Sequence, residues 1–254
     1  MNNMDMFRKQ NQSEFSDAFF KEAEGLRLLE KTLSDANVSS LKIPEVYSVN
    51  SAELSLQKIQ CKQADQTQMV SLGESLASMH KIQFDRYGFK HDNCIGLSLQ
   101  PNVLSDQWGA FFVEYRLAYQ VSKVQNRSIR SQFEQVLTDH RTKLELFLTQ
   151  QCEHPSLLHG DLWSGNVLFD SEAVWLIDPA VYFGDREADL AMTEMFGGFT
   201  PEFYRSYDSV YPRSTSYSQK AIIYNLYHYL NHYNLFGDSY LLPCQQGFDC
   251  IKNL

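Results

Sequence analysis

The octapeptide His159-Gly160-Asp161-Leu162-Trp163-Ser164-Gly165-Asn166 constrains this chain more than any other stretch. It sets an aspartate and an asparagine in one loop punctuated by two glycines, directly after the apolar pair Leu157-Leu158. Glycine permits backbone angles that larger residues resist, so such a loop can turn both polar side chains to the same side. Short apolar runs follow at Val167 to Phe169 and Val174 to Ile177, parted by the turn Asp170-Ser171-Glu172, and the second ends in Asp178-Pro179-Ala180. A strand, a turn and a returning strand carry the chain back to its starting point. Asp178 is therefore expected beside Asp161, with Pro179 ending the strand's hydrogen bonding.

Two carboxylates and an amide around one small volume are what phosphoryl transfer requires. An acceptor hydroxyl must be aimed in line at a γ-phosphate, and divalent metal must neutralise the phosphate oxygens. The spacing H-x-D-x-x-x-x-N is that of a kinase catalytic loop, and a kinase carries its second metal-binding aspartate at the end of a downstream strand. On this reading Asp161 takes the hydroxyl proton, while Asn166 and Asp178 hold Mg2+. The plain alternatives are a polar turn for His159-Gly160-Asp161 and a strand terminator for Asp178-Pro179; their order and spacing together favour the chemical reading.

The rest of the chain supplies a scaffold. Phe19, Phe20, Ala23, Leu26 and Leu29 at helical spacing predict a helix over Ser16 to Ser34, capped by Ser16 or Asp17. Val46 to Val49 and the alternating Leu54, Leu56 and Ile59 predict a hairpin through Asn50 to Glu53. A helix is expected from Gln66 to Ile82, a long functional loop from Phe84 to Asp106, and two helices over Gln107 to Val124 and Ser128 to Gln151. Asp185 to Asn234 reads as mainly helical and aromatic, with Phe199 to Tyr211 as core and loop packing and Asp185, Arg186 and Glu187 capping a helix and pairing with neighbours.

Composition excludes several functions. Among 254 residues, 22 basic against 31 acidic side chains leave a formal charge of -9, which repels a phosphate backbone, so no nucleic-acid partner is expected. No apolar run reaches the roughly 18 residues needed to span a bilayer, and Met1 to Gln12 is too polar for a signal peptide; a cytoplasmic protein with no membrane partner is expected. The five cysteines form no CxxC pair, which favours reduced thiols over a disulfide framework. His228 and His232, four apart on one helical face, read as packed aromatics without a third metal ligand.

Beyond the octapeptide, Ile177-Asp178-Pro179-Ala180-Val181-Tyr182-Phe183-Gly184-Asp185-Arg186-Glu187-Ala188-Asp189-Leu190-Ala191-Met192 resembles the fructosamine kinases, also called ketosamine 3-kinases. Leu72 to His80, Tyr87 to Gly96, Trp108 to Leu117, and Tyr224 to Gly237 resemble the same family, so the likeness covers nearly the whole chain. It implies an α+β, protein-kinase-like bilobal fold: a truncated small N-terminal lobe over 1–60 and a mainly helical C-terminal lobe over 61–254 carrying the catalytic loop. It further implies transfer of the γ-phosphate of ATP, with Mg2+, to the 3-hydroxyl of a ketosamine, either a small molecule or a glycated protein lysine. The phosphorylated adduct would then decompose and free the amine.

The same resemblance assigns further residues. Phe7-Arg8-Lys9-Gln10-Asn11 resembles the strand bearing the phosphate-binding lysine, and Phe20 to Leu26 the helix bearing its partner, so Lys9 and Glu22 would pair. Gln57, Lys58 and Ile59 fall where a hinge would meet adenine through its backbone. Trp163 would wall the sugar adduct, His159 would anchor its loop, and Asp189 would accept the loop's backbone hydrogens. Only eight residues precede Lys9, where the family carries two strands and a glycine-rich lid. A weakly active or non-catalytic relative is thus one alternative, and a kinase of aminoglycoside-like or choline-like alcohols another.

Overall fold

The computed structural model describes residues 6–254. Its N-terminal part comprises β1 (Met6–Gln10), α1 (Ala18–Asp35), β2 (Leu41–Lys42), β3 (Val46–Val49) and β4 (Glu53–Gln57). The chain continues through α2 (Gln66–His80), β5 (Asn93–Ile95), β6 (Ser98–Gln100), α3 (Trp108–Phe112), α4 (Tyr119–Lys123) and α5 (Arg127–Gln150). Then come β7 (Ser156–Leu158), β8 (Val167–Phe169), β9 (Val174–Leu176), β10 (Tyr182–Gly184), α6 (Glu187–Met195), α7 (Pro201–Val210), α8 (Tyr217–Phe236) and α9 (Leu241–Lys252). This is an α+β, kinase-like bilobal arrangement. Among the described residues, no helix is long and apolar enough to cross a membrane.

β1, β4 and β3 form an antiparallel sheet in that order, with β4 central because Leu54 and Leu56 are buried on it. The outer edge of β1 pairs with no strand among the described residues, and Phe7 there is half exposed. α1 covers the sheet with Phe19, Ala23, Leu26, Leu29 and Leu33, the stripe that its helical spacing dictates. Asp17 stands at its N-cap, but its side chain does not cap the helix; it is drawn instead to Lys21 at 2.8 Å. α2 does have a reciprocal cap, in which Asp65 accepts from Gln68 N and the Gln68 side chain accepts from Asp65 N.

β2 runs parallel to β9, and β9 pairs antiparallel with β8, so the segment after α1 is stitched directly to the strands flanking the catalytic loop. The expected loop from Phe84 to Asp106 is instead partly ordered: β5 and β6 form a hairpin, Tyr87 bridges Ser105, and Gly88 bridges Phe183. Its order rests on buried amides rather than apolar alternation. Gln100 donates to Asn93 Oδ1 and to Ala180 O, and Tyr227 donates to Gln100. Between α3 and α4 the helix passes through a π-helical stretch, Val113–Ala118, which carries the buried Arg116 among the rings of Phe111, Tyr182 and Tyr227. Pro201 starts α7, so most of the segment read as core and loop packing is helical, and it sends Phe203 and Tyr207 into the core.

α2 packs on α7 through Gly73. A Cβ there would sit 2.4 Å from Phe203 O and 2.1 Å from Ser206 Oγ, and the backbone oxygen cannot move away without shifting α7. Gly73→Ala is therefore expected to destabilise the fold by about 1–3 kcal/mol, the usual cost of overpacking. Urea unfolding checks this: the midpoint falls, while the slope stays at the wild-type value.

Candidate active site

A cleft of about 360 Å³ collects side chains from segments far apart in sequence. β1 supplies Lys9, α1 supplies Glu22, the loop after β7 supplies Asp161, Trp163 and Asn166, and the turn after β9 supplies Asp178 and Pro179. Lys9 Nζ lies 2.7 Å from Glu22 Oε1 and 2.9 Å from Asp178 Oδ1. One ammonium thus ties sheet, helix and catalytic segment together. Burial alone would lower the lysine's pKa, but the charges of Glu22 and Asp178 outweigh it and raise it, so Lys9 stays protonated.

The catalytic loop is held from below. Asp189, at the start of α6, accepts from His159 N at 2.7 Å and from Gly160 N at 2.9 Å, and its Oδ2 lies 3.3 Å from His80 Nε2. Burial pushes the Asp189 carboxyl up, yet hydrogen bonds from His80 and Gly160 and the neighbouring histidines hold it below its ordinary value. His159 is buried, with Nε2 2.9 Å from Ile177 O and Nδ1 3.3 Å from Asp161 N. Burial lowers its pKa, so the ring is neutral and anchors the loop.

Two backbone features fix the aim. Gly160 has φ +82°, and a Cβ there would lie 2.1 Å from Ala180 O, so the loop and the segment after Asp178 approach as only glycine allows. Asp178 itself is left-handed at φ 55°, uncommon for a residue with a side chain and a form of strain that gathers at functional sites. Asn166 Nδ2 donates to Asp161 O at 2.8 Å and to Asp161 Oδ2 at 3.1 Å, locking amide and carboxylate side by side. Burial drives the Asp161 carboxyl up to about 7, the Asn166 hydrogen bond opposes this, and the charges of Asp178 and Asp189 add to it. A carboxylate titrating near neutrality suits a general base.

The donor set also suits magnesium. With Nδ2 committed to Asp161, Asn166 Oδ1 makes no hydrogen bond among the described residues, and the Asp178 side chain is 42% exposed. Mg2+ takes one or two protein oxygens and completes its shell with water and phosphate oxygens, which fits a pair rather than a cage. Among the described residues, no group of three His, Cys, Asp or Glu forms such a cage.

The hinge residues are placed differently. Gln57, Lys58 and Ile59 do not line this cleft; the Gln57 amide donates to Glu45 O at 2.8 Å, and its side chain borders a separate hollow with Lys42 and Trp175. The Gln57 backbone N–H is thus committed inside the sheet. Asn93 and Lys21 also line the cleft, with no role visible in the sequence. Asn93 donates to Val181 O at 2.8 Å and accepts from Gln100 and Asn102, bracing the turn after Asp178; isolated amides in a polar stretch do not announce such partners.

Asp185, Glu187 and Lys220 form a buried cluster at the start of α6, bordering a hollow separate from this cleft. Lys220 Nζ is 2.6 Å from Asp185 and 2.7 Å from Glu187, and all three are at least 97% buried. Arg186 stands at the N-cap of α6 without a side-chain cap; Asp185, one position earlier, accepts from Glu187 N in the interior.

Fold and site together define a kinase-like phosphotransferase that uses ATP. The family model for fructosamine kinase matches residues 1–253, and the chain belongs to that family. A probable ketoamine kinase of Vibrio parahaemolyticus is 40% identical over 245 residues, covering 94% of this chain and 82% of that protein. A solved Haemophilus somnus structure assigned as a fructosamine-3-kinase superposes with a TM-score of 0.81 at 29% identity, covering 97% of this chain and 83% of that one. A choline kinase of Streptococcus pneumoniae, with a TM-score of 0.65, 14% identity and coverage of 100% and 89%, shares the fold alone. The chain spans about four-fifths of the length of the family relatives it matches.

Proposed function

We propose that this protein phosphorylates the 3-hydroxyl of ketosamines, the sugar adducts of amines, at the expense of ATP. The observation that carries this reading is the convergence of Asp161, Asn166 and Asp178 on one cleft, with Lys9 bound to both Glu22 and Asp178. Asp161 accepts the proton of the attacking hydroxyl, and the amide of Asn166 keeps its carboxylate aimed. Lys9, steadied by Glu22, binds phosphate oxygens. Asn166 and Asp178 would hold Mg2+, which when bound supplies neutralisation of the developing phosphate charge. Trp163 walls the sugar. Residues 1–60 act as the nucleotide-side lobe and 61–254 as the substrate-side lobe. Decomposition of the 3-phosphate frees the amine, so the activity is a deglycation of small amines or of protein lysines.

Lys9→Met removes a charge-assisted phosphate contact, of which each is worth about 1.5–3 kcal/mol. kcat/KM for ATP is expected to fall about 10- to 100-fold. Steady-state kinetics with a fructosamine or ribulosamine substrate check this, and an unchanged kcat/KM would remove Lys9 from the site.

A further inference from the structure

The catalytic loop opens onto a run of aromatic rings that the phosphate chemistry does not use. Trp163 is 38% exposed, and its indole occupies the space a Cβ on Gly165 would need, so the ring is seated firmly on the loop. Phe196 meets its edge with ring centres 5.9 Å apart and is itself 43% exposed. The rings continue from Phe196 to His232 at 5.5 Å, and from His232 to Phe236 at 5.6 Å and to Tyr240 at 5.0 Å. Phe236 is 63% exposed. The segment carrying Phe196 is tied back to the catalytic loop, because Gly198 approaches Ser164 so closely that a Cβ would lie 2.4 Å from its side chain.

We propose that this shelf, led by Phe196 and Phe236, binds the amine limb of the substrate: a protonated secondary amine continued by an apolar stem. The inference rests on the ketosamine reading. In a ketosamine the amine hangs on the carbon two positions from the one bearing the phosphorylated hydroxyl. With that hydroxyl at Asp161, the amine emerges beside Trp163. A secondary amine is cationic at neutral pH, and aromatic faces attract cations. The stem that follows, whether the methylenes of a lysine or the ring of a free arylalkyl amine, gains by covering exposed apolar rings. Continuity with Trp163 places the shelf on the path that limb must take.

Calorimetric titration of the full chain with three ribulosamines tests this: adducts of ethanolamine, of phenethylamine, and of a lysine flanked by polar residues in a short peptide. The apolar-stem adducts are expected to bind about tenfold more tightly than the ethanolamine adduct, a difference of about 1.4 kcal/mol. Phe196→Ser and Phe236→Ser should each shrink that ratio to within about twofold, on the same scale. A gain for the lysyl adduct alone assigns the shelf to glycated peptides, and a gain for the phenethylamine adduct alone assigns it to free amines. Equal affinities for all three, or a ratio untouched by both serine variants, overturns the proposal. Binding preference without phosphorylation of any adduct would defeat the kinase reading and leave the shelf standing; phosphorylation without preference would do the reverse.

Discussion

Asp161→Asn is expected to lower kcat by about 10²- to 10⁴-fold, the range a positioned general base contributes. The amide keeps the shape of the carboxylate and can still accept from Asn166 Nδ2, so KM for ATP is expected to stay near the wild-type value. The pH dependence gives a second handle on the same group. Because burial raises this carboxyl to about 7, the fraction in the base form grows as pH rises through neutrality, and wild-type kcat/KM should climb over that interval. The stability effect runs the other way. Between the ordinary value of 3.8 and about 7 the folded protein holds a proton that the unfolded chain releases, so Asp161 favours folding less as pH rises. Asp161→Asn removes that dependence. At pH 8 the variant should melt a few degrees higher than wild type, equivalent to about 1–2 kcal/mol. A kcat within tenfold of wild type would take the base role from Asp161.

Asp189→Asn is expected to cost about 3 kcal/mol, because one carboxylate satisfies two buried backbone N–H groups and faces a buried histidine. An asparagine offers one oxygen and turns an NH2 toward a donor that already points inward. In a chain of this size that corresponds to a fall in Tm of about 6–12 °C. The pH dependence has a definite sign. Asp189 has its pKa lowered on folding, so its contribution is complete above the ordinary value of 3.8 and is lost as pH falls through the folded value. Wild-type and variant Tm curves should converge in acid and separate toward neutrality. Activity should drop with stability at 25 °C, since the amide no longer fixes His159 and Gly160, whose backbone aims Asp161.

The parts of the site written in a local code were legible in the sequence. His159 to Asn166 and Asp178 could be read because one loop and one returning strand set their spacing, and the helical stripe of α1 and the Val46–Val49 and Glu53–Gln57 pair follow from apolar period alone. What escaped depends on partners distant in the chain. The β5–β6 hairpin has no apolar alternation; its order comes from Gln100 and Asn93 reaching Ala180 and Val181, some 80 to 88 positions away. β2 is only two residues long and ends before Pro44, so nothing local marks its pairing with β9. Lys220, on α8, looks like any helix-surface lysine until Asp185 and Glu187 are brought against it. α9 contains Pro243 and Gly247, two residues that weaken a helical reading. The Asp17 side chain had two local options, the α1 amides or the Lys21 ammonium, and the ion pair prevailed.

Phosphorus-31 NMR of the full chain incubated with ATP, Mg2+ and a ribulosamine or fructosamine addresses the shared cleft most directly. A new phosphate ester on the 3-hydroxyl, formed by wild type and at least about a hundredfold more slowly by Asp161→Asn, is the expected result. No ester with either sugar adduct would contradict the assignment of this cleft to ketosamine phosphorylation, and the same ester at the same rate from the asparagine variant would contradict the role given to Asp161.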